Sequence, residues 1–263
     1  MLSTRQKKKI RFIVVSSAAL VVLALSAWVA LRMSRGRSAR FVRYPEFGII
    51  MPENYSIHGI DVSKYQERVS WEEVQAMQVK QIKLGFAFIK ATEGIGNTDP
   101  QFKRNWKSAK QAGMIRGAYH FFIGSKDGRM QAENFIKQVE LEPGDLPPVL
   151  DAEQLNGSNP QEFREELKQW LDIVYQYYHI KPIIYTNVDF YNKVMGDTFK
   201  DYPLWVAHYY ETGQPRISRD WLFWQHSDEG RVNGIFSKVD FNVFNGDSTE
   251  FRELLVPAED SGN

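Results

Sequence analysis

The sequence predicts an α/β fold: an irregular TIM-like barrel of the (β/α)5(β)3 type, preceded by one N-terminal transmembrane helix or signal anchor. Eight short runs rich in β-branched and aromatic residues recur along residues 57–244. Helix-length segments separate the first five of these runs, whereas the last three are joined by shorter connections. Ahead of all of them, residues 12–31 contain no charged side chain.

The uncharged segment 12–31 has the length of a membrane span. Twenty residues in a helix cover about 30 Å, which is the thickness of the hydrocarbon core of a bilayer. A cleavable signal peptide has a shorter apolar core followed by small residues at its cleavage site, and the residues after this run offer no such site. We therefore expect an uncleaved anchor, with a secreted protein as the alternative if the segment is removed.

Charge and turn-forming residues divide the remainder of the chain. We expect a basic cytoplasmic segment at 1–11, a stalk or linker at 32–55, one barrel domain at 56–256 and a polar tail at 257–263. Residues 1–43 carry ten Lys and Arg and no acidic residue, whereas the rest has 23 basic and 32 acidic residues. A body with this net negative charge is a poor partner for nucleic acid phosphates. The absence of cysteine excludes disulfides, thiolate metal sites and a cysteine nucleophile.

The β-rich runs and the helical patterns alternate in a way that favours a closed barrel. The predicted strands are 57–63, 86–92, 115–122, 147–153, 182–187, 203–209, 222–227 and 239–244. The predicted helices are 70–77, 99–113, 128–139, 159–179 and a shorter one at 187–195. Strands that are connected by crossover helices run parallel, and eight strands close naturally into a barrel.

Two carboxylic residues follow the apolar run of the fourth predicted strand, in the segment LPPVLDAEQ at 146–154. In a barrel of this kind the chemistry lies where the strands end at their carboxyl side. Side chains two residues apart in a strand point to the same face, so Asp151 and Glu153 are expected to lie together. Like charges in one pocket raise a pKa, and a general acid at near-neutral pH needs a raised pKa. The structural alternative is a strand end at which both side chains simply reach solvent.

Two further acids, Asp61 and Asp240, come from the first and the eighth predicted strand. These strands become neighbours when the barrel closes, so all four acids are expected at one mouth. The other candidate residues at this rim are aromatic or hydrogen-bonding side chains that suit a sugar subsite: Tyr119, Tyr185, Trp205, Gln225 and Lys90. Lys90 is a candidate for binding a substrate carboxylate, and an ion pair with Glu93 is the equal alternative.

Two histidines near the same rim, His120 and His208, have side chains of a type that can bind a metal. They are three strands apart and have no local partner of ligand type, so a packed or hydrogen-bonded role is favoured over a metal site. The sequence therefore predicts no metal and no other cofactor.

The ordered set of motifs resembles the glycoside hydrolase family 25 lysozymes. The motifs are HGIDVSKYQ (58–66), FIKATEG (88–94), RGAYHFF (116–122), PPVLDAE (147–153), IIYTN (183–187), LWVAHY (204–209), WQHS (224–227) and VDFNVFNG (239–246). The resemblance implies a peptidoglycan hydrolase that cleaves the β-1,4 bond between N-acetylmuramic acid and N-acetylglucosamine. It also implies the same barrel of five β/α units and three further strands.

The resemblance further implies roles for the four acids. Glu153 is similar to the proton donor of the family, Asp151 to its partner, and Asp61 and Asp240 to the two other active-site acids. The reaction can be retaining through a carboxylate nucleophile, inverting, or assisted by the acetamido group of the substrate, and the strand spacing does not choose among these routes.

The implied function has consequences for localisation and partners. Because peptidoglycan lies outside the cytoplasmic membrane, we expect the barrel to lie outside the cytoplasm and to be anchored by the N-terminal helix. We expect it to act on glycan strands as a monomer. Two rivals come from other functional classes. One is a catalytically inactive glycan-binding barrel that tethers the membrane to the wall, and the other is a metal-dependent deacetylase.

Overall fold

The computed structural model describes residues 40–258, together with Ser17, Val21 and Ser26 of the N-terminal segment. Contacts divide the chain into two units, Met1–Ala39 and Arg40–Asn263. The three described residues of the first unit are helical. The predicted span at 12–31 otherwise lies outside the described residues. Among the residues that are described, no helix combines the length and the apolar character needed to cross a bilayer.

The second unit begins with a β-hairpin formed by β1 (Phe41–Tyr44) and β2 (Ile49–Pro52). The stalk predicted at 32–55 is therefore wrong from Arg40 onward, and the folded unit starts earlier than the predicted residue 56. The hairpin packs on the outside of the barrel, where the Phe47 ring lies 5.3 Å from that of Phe241. Its strands are only four residues long, which is too short for a visible alternation of apolar and polar residues.

Eight strands form the closed barrel, and all eight were predicted from the sequence. They are β3 (His58–Val62), β5 (Ile82–Glu93), β7 (Ile115–Phe121), β8 (Val149–Asp151), β9 (Ile183–Asn187), β10 (Leu204–Ala207), β11 (Phe223–Gly230) and β12 (Val239–Phe244). Two short strands, β4 (Gln78–Val79) and β6 (Asn97–Thr98), pair with β5 from outside this ring.

The barrel strands lie in the order β3-β12-β11-β10-β9-β8-β7-β5, and a parallel pairing of β5 with β3 closes the ring. Seven strands of the ring, β3, β5, β7, β8, β9, β10 and β11, run parallel to one another, whereas β12 is antiparallel to its neighbours β11 and β3. The connection from β11 to β12 spans only residues 231–238. Because a parallel return needs a dozen or more residues, this strand reverses direction instead.

Six α-helices occur among residues 40–258, of which the first five lie close to predicted positions and α6 was not predicted. They are α1 (Trp71–Ala76), α2 (Phe102–Gln111), α3 (Gly128–Gln138), α4 (Pro160–Tyr178), α5 (Val188–Phe190) and α6 (Ser248–Glu253). The helix predicted at 187–195 is a single α-helical turn that continues as a π-helix over Tyr191–Met195. Short 3-10 helices occupy Lys64–Gln66 and Gly196–Phe199.

Helix α4 shows how local sequence sets these elements. The Asn159 side chain accepts hydrogen bonds from the second and third helical N–H groups, and Pro160 occupies the first helical position. Apolar residues then recur at helical spacing and bury one face: Phe163, Leu167, Trp170, Leu171 and Val174. The helix ends at His179, which adopts φ +57°.

The interior of the barrel is filled by aromatic rings, and this packing forms the floor of the site. The Phe88 ring stacks on that of Trp205 at 4.4 Å, and Phe86 contacts Phe223 at 5.1 Å. At Gly59 a β-carbon would lie 2.5 Å from the Phe86 ring, so only glycine leaves room for this ring. The interior of the barrel is therefore a packed core beneath the mouth.

Candidate active site

A cleft of about 270 Å³ opens at the mouth of the barrel, where the parallel strands end and β12 begins. All nine residues that the sequence predicted for the site line this cleft: Asp61, Lys90, Tyr119, Asp151, Glu153, Tyr185, Trp205, Gln225 and Asp240. Closure of the ring through β3 and β12 brings the two ends of the domain together here.

Asp61 and Asp240 lie directly opposite each other in the antiparallel pair of β3 and β12. Their carboxyl groups hydrogen bond to each other, which requires that one of them is protonated. Burial raises the pKa of Asp61 to about 6, and burial together with the nearby Asp61 raises the pKa of Asp240 to about 9. At neutral pH Asp240 therefore carries the proton and donates to the ionised Asp61.

Two side-chain amides hold Asp61 in one orientation. Gln225 Nε2 and Asn242 Nδ2 each donate a hydrogen bond of 2.8 Å to its Oδ2 atom. The Asn242 amide is oriented in turn, because its Oδ1 atom accepts a hydrogen bond of 2.8 Å from Trp205 Nε1. Since both amides present only N–H groups to Asp61, they stabilise its ionised form.

Two tyrosines converge on the other end of Gln225. Its Oε1 atom accepts hydrogen bonds from the hydroxyl groups of Tyr185, at 2.8 Å, and Tyr209. Burial raises the pKa of both phenols, so both keep their protons at any physiological pH. A connected network thus runs from the two tyrosines through Gln225 to Asp61 and sets the hydrogen-bonding pattern of this side of the cleft.

Asp151 and Glu153 lie on the opposite side of the cleft, at the end of β8. The N–H of the intervening Ala152 donates to Tyr185 O at 2.9 Å, which extends the strand pairing and leaves the two acids on the cleft side. Asp151 is only 8% exposed, and its Oδ1 atom is buried without a hydrogen-bond partner. A buried unpaired acceptor is costly, which marks this atom as one that a ligand can satisfy.

The pKa values of this second pair are raised as well. Burial raises the pKa of Asp151 well above the ordinary range, and the adjacent Glu153 adds to the effect. Burial also raises the pKa of Glu153, while the positive charge of Lys90 acts in the opposite direction. The pair therefore retains a proton at a pH where isolated carboxylic acids would be fully ionised.

Lys90 forms an ion pair with Glu93, which is one of the two roles that the sequence predicts for it. Its Nζ atom lies 2.6 Å from Glu93 Oε2 and 4.6 Å from the centre of the Phe121 ring. It still lines the cleft, so the ammonium group contributes positive charge beside Glu153.

Trp205 lies deeper than a sugar-stacking residue would. Its side chain is almost fully buried, stacked on Phe88 and in edge contact with Tyr185 at 4.5 Å. It forms the floor of the cleft and orients Asn242. The aromatic surface that a sugar ring could reach belongs to residues that the sequence analysis did not single out, Tyr65, Phe121 and Tyr209.

These missed residues carried a weak signal in the sequence. Tyr65 lies three residues beyond the end of β3 and is 72% exposed, and Tyr209 ends the motif of the sixth predicted strand. Asn242 follows Asp240 by two residues, so the same alternation that places Asp240 in the barrel places Asn242 there. An aromatic residue shortly after the end of a predicted strand could therefore have been predicted as part of the site.

The two histidines have packing and hydrogen-bonding roles. His120 is buried between Thr92 Oγ1, at 2.7 Å from Nδ1, and Gln131 Oε1, at 3.2 Å from Nε2. His208 Nδ1 accepts a hydrogen bond from the Arg216 N–H. Across residues 40–258, no cluster of three or more His, Asp and Glu side chains is arranged to hold a metal ion.

Comparison with known proteins relates this site to a family. The family model for glycosyl hydrolases family 25 matches residues 60–235. Lysozyme M1 from Streptomyces globisporus is 33% identical over 80% of this chain and 75% of its own length. The protein YegX from Escherichia coli (strain K12) is 46% identical over 80% of this chain and 77% of its own.

A solved structure gives the same result at the level of the fold. The family 25 glycosyl hydrolase from Bacillus anthracis superimposes with a TM-score of 0.72 and 32% identity, covering 82% of this chain and all of the other. The family model covers the barrel from Ile60 in β3 through β11, whereas β12 and the motif VDFNVFNG at 239–246 lie beyond it. This chain belongs to glycosyl hydrolase family 25 and is a glycoside hydrolase.

Proposed function

We propose that this glycoside hydrolase is a muramidase, which cleaves the β-1,4 bond between N-acetylmuramic acid and N-acetylglucosamine in peptidoglycan. The observation that carries the proposal is the gathering of four carboxyl groups with raised pKa values around one open cleft. Glycosidic bonds are broken by carboxyl groups that differ in protonation and flank the bond. The similarity to Lysozyme M1 supports this choice of substrate.

Glu153 is the general acid in this proposal. It lies beyond the last residue of β8 and is more exposed to the cleft than Asp151, so it can reach a glycosidic oxygen. Once the substrate is bound, its raised pKa keeps it protonated until the bond begins to break. It then gives its proton to the leaving oxygen while the sugar gains oxocarbenium character.

Asp151 orients the acetamido group of the substrate. Its unpartnered Oδ1 atom is an acceptor for the amide N–H, and that hydrogen bond stabilises the ionised form of Asp151. In the empty cleft the proton of the pair favours the more deeply buried Asp151. Binding of the acetamido group therefore moves this proton to Glu153, where the reaction needs it.

The oriented acetamido oxygen then attacks the anomeric carbon, and water opens the cyclic intermediate with net retention of configuration. The Tyr119 and Tyr185 hydroxyl groups line the same cleft and keep their protons, so they can donate to the acetamido group or to developing negative charge. Asp61, held ionised by Gln225 and Asn242, places a fixed negative charge beside the developing cation.

The enzyme acts outside the cytoplasmic membrane in this proposal, because its polymeric substrate lies there. The charge-free segment 12–31 supports retention at the membrane. Five basic residues lie on each side of it, so it is the location of the substrate, and not the charge, that favours a cytoplasmic Met1–Arg11. N-terminal sequencing of the mature protein distinguishes the anchored form, which begins at or near Met1, from a secreted form that has lost residues 12–31.

The full chain is tested on purified peptidoglycan, with and without EDTA. Soluble fragments that end in reducing N-acetylmuramic acid, released equally in both conditions, are the expected result. NMR of the first product should show the β-anomer, as retention requires. Binding of the glycan without any release of fragments would identify an inactive tether, and loss of activity with EDTA would identify metal-dependent chemistry.

A further inference from the structure

A second pocket, of about 360 Å³, lies beside the catalytic cleft. Lys90 lines both, so the two spaces adjoin. The pocket is enclosed by the 3-10 turn Lys64–Gln66 on one side and by the turn that joins β5 to β6 on the other. We refer to it below as the side pocket.

The walls of the side pocket are held by specific hydrogen bonds. Asp99 accepts from the backbone N–H groups of Lys64, at 2.8 Å, and Gln101, at 2.9 Å, through its two carboxylate oxygens. Asn134 Nδ2 donates to Gly94 O at 2.9 Å and to Asn97 O at 3.2 Å. The pocket is therefore a built feature of the fold, formed before any ligand binds.

The charged groups of the side pocket differ in whether another group of the protein already pairs with them. The carboxylate of Asp99 is occupied by backbone N–H groups, and that of Glu93 is paired with Lys90. The Lys64 ammonium group lies 5.4 Å from the centre of the Tyr65 ring. No carboxylate within residues 40–258 forms an ion pair with this ammonium group. The side pocket thus presents an available positive charge.

The chemistry of the lining favours a peptide over a sugar. Within the described part of the chain, the side pocket is lined by charged and polar residues, glycine and Pro100, with no aromatic ring against which a pyranose could stack. The catalytic cleft, in contrast, contains Tyr65, Phe121 and Tyr209. A ligand with carboxylate and amide groups fits the side pocket, because ammonium and N–H groups bind carboxylates through charge-assisted hydrogen bonds.

We propose that the side pocket binds the carboxylate-bearing peptide stem of the peptidoglycan strand whose glycan occupies the catalytic cleft. This inference rests on the proposed muramidase function, since N-acetylmuramic acid is the sugar that carries the stem. The stem leaves its sugar beside the glycosidic bond, and the adjoining side pocket receives its carboxylates at Lys64. The enzyme therefore binds the peptide stem as well as the glycan.

Lys64 is the residue to change, because its side chain is exposed and its backbone makes the structural contact with Asp99. We compare Lys64→Ala and Lys64→Glu with Lys103→Ala, which removes an exposed lysine from α2 outside both spaces. Each variant is assayed on intact glycan strands and on the same strands after an amidase has removed the stems.

The expected result is a change in preference between these substrates. Lys64→Ala should lower kcat/KM for stem-bearing strands about fivefold more than for stem-free strands, as the loss of one exposed ion pair implies. Lys64→Glu should lower this ratio further by repulsion, and Lys103→Ala should leave it at the wild-type value. Equal losses on both substrates for the Lys64 variants would overturn the inference.

A direct measurement separates this inference from the proposed function. The probe is the soluble tetrapeptide stem released by the amidase, and its binding to each variant is measured by calorimetry. Binding that Lys64→Glu abolishes supports the side pocket even if the wild type cleaves no glycan, which would refute the muramidase proposal alone. Cleavage by a wild type whose peptide binding does not depend on Lys64 would refute the side pocket alone.

Discussion

The carboxyl groups of Asp240 and Asp61 face each other across the antiparallel strands that close the barrel, and they share one proton. This contact joins the first and the last strand of the ring, so a charge relationship in the site depends directly on closure of the fold. It also leaves this side of the cleft with a single negative charge, located on the carboxylate that two amides hold in place.

Substitution of the two partners should have unequal effects on stability. Asp240→Asn keeps an N–H donor toward Asp61, so we expect a change in the free energy of unfolding below ~1 kcal/mol. Asp61→Asn can still present an amide oxygen to Gln225 and Asn242, but it removes the negative charge that strengthens these two hydrogen bonds, so we expect a loss of about 1–3 kcal/mol. Urea denaturation at pH 6 measures both, and equal losses would contradict the assigned proton position.

The pH dependence of stability should follow Asp240 on the alkaline side. Its pKa is raised from 3.8 in the unfolded chain to about 9, so the folded state holds a proton that the unfolded state releases. The corresponding stability is complete below pH 3.8 and is lost as the pH rises through about 9. Asp240→Asn has no proton to release at this position and cannot lose this stability. From pH 5 to pH 9, the free energy of unfolding of the variant should therefore rise by more than ~1 kcal/mol relative to that of the wild type.

Glu153→Gln should abolish hydrolysis without unfolding the barrel. An amide cannot protonate the leaving oxygen, and loss of a general acid lowers kcat by about 10²–10⁴-fold. Release of reducing ends from peptidoglycan measures the rate, and thermal unfolding checks the fold. Glu165→Gln, on an exposed position of α4, is the matched control. A rate near that of wild type in Glu153→Gln would show that another group supplies the proton.

Acid lability should depend on a buried histidine outside the site. His226 has no hydrogen-bond partner at either ring nitrogen, and burial lowers its pKa from 6.5 to about 3, with the nearby His58 contributing. The stability it contributes is present above pH 6.5 and is lost as the pH falls through about 3. His226→Leu should therefore reduce the loss of stability between pH 7 and pH 4.

The control for this experiment is His179→Asn, at an exposed position with φ +57° that asparagine accepts. Thermal unfolding across the same pH range measures both variants. A steep acid limb in His226→Leu, equal to that of wild type, would exclude His226 as its source.

The N-terminal hairpin should be essential to the domain. Phe47 is fully buried against Phe241, so Phe47→Ala should cost about 3–5 kcal/mol of unfolding free energy. Ile50→Ala, on the same hairpin but at a position that is 53% exposed, should cost less than ~1 kcal/mol. Chemical denaturation measures both, and equal small losses would restore the view of this segment as a linker.

Much of this architecture could be predicted because the barrel strands are short, buried and bounded by turn residues. The pair Asp151 and Glu153 could be assigned to one face because side chains alternate along a strand, and this reasoning depends on no long-range contact. The hairpin at Phe41–Pro52 could not be predicted in this way, since its burial comes from distant parts of the chain, among them the outer face of β11 and β12 and the residues next to β4.

The sequence by itself determined the eight strands, the helices between them and the nine polar and aromatic residues at the mouth of the barrel. Periodicity and strand ends depend on residues that are close together in the chain, so they can be recognised without knowledge of distant contacts. Only the tertiary structure decided the burial of Trp205 in the floor and the identity of the protonated acid. These properties depend on which distant side chains share a dehydrated space, and burial and electrostatic coupling have no signature in the order of residues along the chain.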